Sequence, residues 1–350
     1  MTSTSAEFSS LFQALLVSLL LTLGTCLIGI WTARRFKLLD VPGVAPYKQH
    51  KLPMPYAGGI ALALSLLILT LSTGLWRDPQ IRSMLIIGLV VFGFGLLDDI
   101  RRLSPQAKLL GQLFAAVLLV LSGVTIQVFE SQSFFFGGSS PVYVWLDRFL
   151  TIFWVVGVTN AFNLVDSMDG LSVGLSGWAF AFFMLATIDS GQHLLSVTSA
   201  IMVGICLAIF YFNSSPAKMF LGDSGAQTLG FLLSVMAILY NPLDSFQTSS
   251  YLVPILLVGV PIFDTSMVTI SRIRRKTPFY KGNRDHTYHR LAAMGMEPSR
   301  AVLTMHLGAL VLDCLAFIAV SLPPLWANCV LGVTVLAGIG LVFFFEKHQG

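Results

Sequence analysis

Residues 147–188 read DRFLTIFWVVGVTNAFNLVDSMDGLSVGLSGWAFAFFMLATI. Two apolar runs, 147–163 and 171–188, flank a break in which Asn160 and Asn163 precede Asp166 and Asp169. Each run approaches the roughly 20 apolar residues that cross about 30 Å of hydrocarbon. In an unbroken α-helix the nine steps from Asn160 to Asp169 would put the two on opposite faces. The stretch Asp166-Ser167-Met168-Asp169-Gly170 instead predicts a turn of short polar side chains ending on glycine. Such backbone is tolerated at membrane depth where it lines water or a ligand. A simple turn between two spans accounts for residues 166–170, but not for the asparagines upstream.

Outward from this break, similar runs recur along the whole chain. The expected spans are 8–33, 57–75, 83–97, 108–127, 147–163, 171–188, 194–212, 225–240, 250–271, 301–320 and 325–345. Of the 350 residues, 55% are hydrophobic and 11% charged, with mean hydropathy +0.80. Soluble domains carry about 25% charged residues, so the class is a polytopic integral membrane protein, all-α, in one domain over 1–350. The first run lacks the basic leader of a cleaved signal and is expected to stay as an anchor. Eleven spans put the termini on opposite sides. Of the 21 Lys and Arg, 18 fall on one face and three, Arg77, Arg82 and Arg148, on the other. This predicts an outside N-terminus and a cytoplasmic C-terminus. The net charge of +4 then reflects orientation and gives no reason to expect nucleic acid. Cys26, Cys206, Cys314 and Cys329 have no metal-like spacing and read as small buried hydrophobes. In residues 129–145, FESQSFFFGGSSPVYVW, β-formers around Gly-Gly-Ser-Ser-Pro suggest a short hairpin.

Sorted by face, the acidic residues converge on the expected cytoplasmic side, in loops near 34–56, 98–108, 164–170, 213–224 and 272–300. Asp98 and Asp99 end the third span, the Asn160–Asp169 group ends the fifth, and Asp223 begins the eighth. His286 and His289 lie in the long basic loop after the ninth. An isolated carboxylate near a span end only marks the interface, where ionisable groups are cheapest. Four coincident clusters go further, because carboxylates crowded near low dielectric need a cation to stay ionised. Hard oxygen ligands with open positions suit Mg²⁺, and Asn163 and Asp223 fit that role. Asp285 is placed to cap a short helix that Gly295 ends, with His286 and His289 near its N-terminus, where anions bind. An HxxH pair without a third ligand does not support zinc, so phosphate contact is the better reading. Asp264, deeper in the ninth span, is either functional or paired with an arginine.

Together these stretches resemble the polyprenyl-phosphate N-acetylhexosamine-1-phosphate transferases. The motifs are DVPGVAPYKQHKLPMPYAGG, GLLDDIRRLSPQAKLLGQ, NAFNLVDSMDGL, FLGDSGA and DHTYHRL, in the family's order along nearly the whole chain. The resemblance implies transfer of a sugar-1-phosphate from a UDP-sugar to a polyprenyl phosphate, with release of UMP, at a cytoplasmic active site in the bacterial inner membrane. It implies Mg²⁺ or Mn²⁺ held by Asn163 and Asp223, Asp98 and Asp99 near the lipid phosphate, and Asp166 and Asp169 near the nucleotide. His286 and His289 fall to the phosphate side. Substrate binding is expected for Lys48, His50, Lys108, Asn160, Asp264, Arg284 and Arg290. Ser167 stands where the family has glycine, which weakens the nucleotide assignment there. Direct attack by a lipid phosphate, already largely dianionic at neutral pH, is favoured over a covalent aspartyl intermediate, with Asp98 as base. Expected partners are the UDP-sugar, the lipid acceptor and the bilayer; a homodimer is compatible with the pattern. The phospho-muramoyl-pentapeptide branch of the same superfamily is the first alternative. The second, a lipid-linked sugar transporter, would spread its ionisable groups toward the midplane.

Overall fold

The computed structural model describes residues 2–41, 52–130, 140–242, 251–277 and 285–347. Lys48, His50 and Arg284 lie outside them, as does the centre of the expected 129–145 hairpin. Among the described residues, helices α1 to α13 span Thr2–Arg35, Gly58–Ser72, Pro79–Arg101, Pro105–Leu121, Pro141–Val165, Leu171–Asp189, His193–Asn213, Gly222–Leu239, Leu252–Leu257, Gly259–Arg274, Thr287–Ala293, Pro298–Val320 and Pro324–Lys347. A two-stranded antiparallel ribbon, β1 (Leu39–Asp40) with β2 (Met54–Pro55), is the sole sheet among them. The chain is an all-α membrane protein. Eight of these helices (α1, α3, α5 to α8, α12 and α13) are long and apolar enough to cross a membrane, while α2 and α4 are shorter apolar helices.

Local chemistry starts and stops these helices. Pro79, Pro105, Pro141, Pro298 and Pro324 each stand at a helix start, where the missing N–H costs nothing. Asp78 caps α3 by accepting from Gln80 N and Ile81 N at 2.9 Å, and Ser104 caps α4 through Ala107 N at 3.3 Å. The same effect overturns the hairpin reading. With Pro141 opening α5, residues Val142 to Trp145 are helical. The ninth expected span is also broken, into α9 and α10 at Val258. Pro261 has no N–H to return to the Leu257 carbonyl, so the ladder lapses there.

The almost wholly buried α8 is the axis of the bundle, packed by α2, α3 and α5, with α1 lying along α7 and α7 along α6. Close approach depends on small residues: a Cβ at Gly95 of α3 would come within 2.5 Å of Ser224 Cα. The ribbon is stitched to the entry of α8, with Phe220 N donating to Pro55 O at 2.9 Å and Gly58 N to Phe220 O at 3.0 Å. Motifs 165 residues apart in the chain therefore meet side by side. Cys26 and Cys206 are buried as expected, but Cys314 and Cys329 are exposed on the outer faces of α12 and α13. Among the described residues, the start of α1 and the end of α13 meet different partners. Glu7 of α1 approaches His193 at the start of α7, at 3.4 Å, whereas Glu346 of α13 pairs with Arg290 of α11.

Candidate active site

One end of the bundle gathers the last turns of α3 and α5 and the first turns of α4 and α8. Asp98, next to the end of α3, accepts from Leu103 N at 2.6 Å through Oδ1 and pairs with the Lys108 ammonium through Oδ2. The same ammonium lies 3.0 Å from Asp223 Oδ2. On the other side of Asp223, Oδ1 accepts from the Asn163 amide. Lys108 thus stands between two carboxylates from different helices, and Asn163 completes the row. Of the residues expected to act, Asp98, Lys108, Asn163 and Asp223 are brought together in this way.

Asp99 has a different task from the one expected. Its Oδ1 accepts from Asp223 N at 2.8 Å, and its Oδ2 accepts from Ser224 N at 3.1 Å and Ser224 Oγ at 2.6 Å. These are the orphan donors of the first turn of α8, capped by a residue of α3. Gly222 makes the fit, since at φ +77° a Cβ there would sit 2.7 Å from Asp99 Oδ2. Asp99 therefore aims Asp223 and is fully occupied in doing so.

The break after α5 is present where the polar run placed it. Its turn is held by Asn213 at the end of α7, which accepts from Gly170 N at 3.1 Å and donates to Met219 O at 3.1 Å. Asp169 Oδ2 accepts from Ala217 N at 3.3 Å, tying the same turn to the approach to α8. Asp166 lies outside the helices. Desolvation, then Asp223, Asp99 and Asp169, push its carboxyl well above the usual range.

The histidine motif is mounted on α10. Asp264, completely buried, accepts from Thr287 N at 2.6 Å and pairs with His286 Nδ1 at 2.8 Å. Asp264 is thus the cap of α11 and the partner of His286. Both of its oxygens face the chain's own donors, and the partner found is a histidine in place of the expected arginine. Asp285 does not cap α11 as expected; its carboxylate meets Arg275 at 3.0 Å and Arg272 at 3.7 Å. The Arg290 guanidinium, 1% exposed, donates to Asp285 O at 2.9 Å, Ser271 Oγ at 2.8 Å and Glu346 Oε1 at 2.9 Å, so each of its nitrogens is engaged by the folded chain. Gly295 ends the helix at φ +94°, as read from the sequence.

Tyr288 was not singled out in the sequence. Its ring stacks on His286 at 5.7 Å, its hydroxyl lies 2.9 Å from His289 Nε2, and it contacts Ser167 of the turn. Burial pushes the phenol upward. Tyr288 thus joins the two histidines to the Asp166 turn, and its position between them was the available signal. Asn160 is set back from the carboxylates, donating to Gln112 Oε1 and to Val156 O at 3.1 Å. Lys108 proves central to the cluster, whereas its motif position suggested only one substrate contact among several.

Among the described residues, no three His, Cys, Asp or Glu side chains form a metal cage. Mg²⁺ does not require one, since one or two carboxylates plus water and substrate phosphates usually hold it. The donor set fits that mode. Asp223 already meets a cationic head through Oδ2, and turning the Asn163 amide over would present its oxygen beside Asp223 Oδ1.

Residues 81–241, which contain the third to eighth apolar runs and this cluster, match the sequence family described as Glycosyl transferase family 4. A Bacillus subtilis protein named "Probable undecaprenyl-phosphate N-acetylglucosaminyl 1-phosphate transferase" is 32% identical over 266 residues, 74% of this chain and 72% of that protein. This chain belongs to glycosyl transferase family 4. Other relatives lie at similar distance. The decaprenyl-phosphate N-acetylglucosaminephosphotransferase of Mycobacterium tuberculosis (strain H37Rv) is 29% identical over 324 residues, 83% of this chain and 78% of its own. The phospho-N-acetylmuramoyl-pentapeptide-transferase of Halalkalibacterium halodurans is 31% identical over 278 residues, 73% of this chain and 80% of its own. Within the family match lie the Asp98–Asp99 pair, the Asn160–Gly170 break and Asp223; the histidine motif lies beyond it.

Proposed function

We propose that this protein transfers N-acetylglucosamine-1-phosphate, or that of a close N-acetylhexosamine, from its UDP-sugar to a polyprenyl phosphate, releasing UMP. The reaction starts assembly of a cell-surface glycopolymer. The observation that carries this reading is the Asp98–Lys108–Asp223–Asn163 row at one end of a bundle of apolar helices. A lipid phosphate held at the bilayer edge and a soluble nucleotide can both reach such a place. The names of the two N-acetylglucosamine relatives support the donor.

In the proposed reaction an oxygen of the lipid phosphate attacks the β-phosphorus of the donor, and the bond to the bridging oxygen breaks, so that UMP leaves with that oxygen. Phosphoryl transfer of this kind depends on positioning and charge neutralisation. Asp98 orients the lipid phosphate and takes its remaining proton when the monoanion binds. Lys108 exchanges a carboxylate for a phosphate oxygen and neutralises developing charge. Asp223 and Asn163 would hold Mg²⁺, which when bound supplies Lewis-acid neutralisation of the diphosphate. Asp166, with its raised affinity for a proton, faces the nucleotide from the turn. His286, fixed through Nδ1 by Asp264, presents Nε2 to a phosphate. The 18-to-3 division of basic residues supports eleven crossings with the N-terminus outside and the site in the cytoplasm, the break in the ninth crossing falling within the membrane.

The test is a radiolabel assay with purified protein, polyprenyl phosphate, Mg²⁺ and a panel of UDP-sugars. UMP release that needs both the lipid and UDP-N-acetylglucosamine is expected. Turnover with UDP-muramoyl-pentapeptide alone would transfer the protein to the other branch, and no UMP with any donor would end the reading.

A further inference from the structure

Beneath the charged row lies a second row, made only of amides. Asn160 donates to Gln112 Oε1, and Gln112 Nε2 donates to Gln227 Oε1 at 3.2 Å. The two glutamines are 3% and 2% exposed. With Asn160 they occupy the three helices that carry Lys108, Asn163 and Asp223. Gln112 follows Lys108 by four residues on α4, Gln227 follows Asp223 by four on α8, and Asn160 precedes Asn163 by three on α5. Because α4 and α8 start at the site while α5 ends there, each amide sits about one turn deeper, roughly 4.5 Å along the axis for Asn160 and about 6 Å for the two glutamines. Lys108, Asn163 and Asp223 therefore each have an amide one turn behind them on the same helix.

We infer that Gln112, Gln227 and Asn160 are positioning residues, an amide layer that locks the mutual rotation of α4, α5 and α8 and so sets the spacing of Lys108, Asn163 and Asp223. The chain of donors closes at only one relative rotation of the helices, and a buried amide left without a partner is costly. Asp223 and Asn163 have short side chains and cannot follow a helix that turns or slides. Between apolar helices in lipid, dispersion alone specifies such a position weakly, and buried hydrogen bonds specify it better. A neutral layer serves here because it directs geometry without adding charge under a cluster that already holds several carboxylates.

The inference rests on the proposed metal-assisted transfer, and the experiment separates the two. Full-length Gln112→Leu, Gln227→Leu and the double variant are titrated with Mg²⁺ beside wild type and Asp223→Asn, with kcat and KM for the UDP-sugar read at saturating metal. Each single glutamine variant is expected to raise the half-saturating Mg²⁺ about tenfold and to lower kcat, by analogy with other groups that orient ligands from behind. The KM for the UDP-sugar should stay within twofold. Because the two glutamines act through one bond, the double variant should be no worse than the worse single, within a factor of about two. Folded variants with a wild-type Mg²⁺ requirement, or losses that multiply in the double, would overturn the inference. If Leu prevents folding, Gln112→Met and Gln227→Met, of similar length and flexibility, replace it; failure of these to fold would assign the layer to stability alone and also overturn it. A wild-type Mg²⁺ curve for Asp223→Asn would instead remove the metal reading, leaving the kcat comparison of single and double variants to judge the layer.

Discussion

Two sets of buried carboxylates, one at each end of the bundle, show what separates a structural acid from a working one. At the end opposite the site, Asp147 of α5 is completely buried and accepts from the backbone N–H groups of Val128, Phe129 and Glu130 at 3.0 to 3.2 Å. Thr151, one turn on, takes Ile126 N at 2.9 Å. At the site end, Asp98 is 3% exposed and Asp223 half-buried; they share the Lys108 side chain, Asp223 also takes the Asn163 amide, and Asp98 keeps one backbone donor, Leu103 N. Burial does not tell the two ends apart. The partners do, because backbone donors cannot be withdrawn without unfolding the segment, whereas an ammonium on a four-carbon stem can swing to a phosphate. Asp99 shows the same division beside Asp98, its oxygens spent on the first turn of α8.

The largest expected effect would break this comparison if it failed. Asp223→Asn keeps size and removes charge, and should lower turnover about a hundredfold or more while raising the Mg²⁺ needed for half-activity, the response to a lost electrostatic contact in a partly dry site. Asp147→Asn should leave kcat per folded molecule unchanged. Asp147→Ala, which strands three backbone donors, should cost about 3 kcal/mol of unfolding free energy, read by denaturant titration in detergent. An activity loss in folded Asp147→Asn, without a stability loss, would erase the distinction between the ends.

Asp98→Asn sharpens the site end. Its turnover defect should be about tenfold at pH 5, where most of the acceptor is monoanionic, and shrink by pH 7.5, because the acceptor ionises unaided above its second pKa near 6. Its residual activity should keep the wild-type Mg²⁺ dependence. A metal defect confined to Asp98→Asn would reverse the assignment of the two aspartates.

The smallest effect concerns the turn. With Asp166 held well above the usual carboxylate range, the folded protein keeps a proton that the unfolded chain has released. Stability in metal-free buffer therefore falls as pH rises from the ordinary carboxylate pKa to the raised one, and is flat beyond. Asp166→Asn removes that loss. It should raise Tm at pH 8 by about 2–4 °C, with the gain fading toward pH 4, and lower activity in the same preparation. An equal Tm gain at both pH values would mean that charge is not the cause.

The turn at 166–170 was legible because Asp, Ser and Gly compete with helix locally, whatever the rest of the chain does. The helical runs were legible for a related reason, since a bilayer demands internal backbone hydrogen bonding from every long apolar segment. Proline at a helix start outweighs the β-formers of residues 142–145, and proline within the ninth run breaks it into α9 and α10; apolar periodicity shows neither effect.

By itself, then, the sequence determined an all-α membrane protein, the end of the bundle where its carboxylates meet, and the family motifs that lie there. The first two follow from composition and spacing along the chain, because hydrocarbon and backbone act on each segment separately, and the motifs were read as a resemblance. Only the tertiary structure decided what each polar residue does. Asp98 and Asp99 are adjacent and chemically identical, yet successive helical positions point about 100° apart, so one meets Lys108 and the other the amides of α8. Arg290 and Asp264 looked like ligands until the folded chain brought Glu346, Ser271 and His286 to them. Partnership is a property of contacts between distant segments, and one residue's type and position in the chain do not contain it.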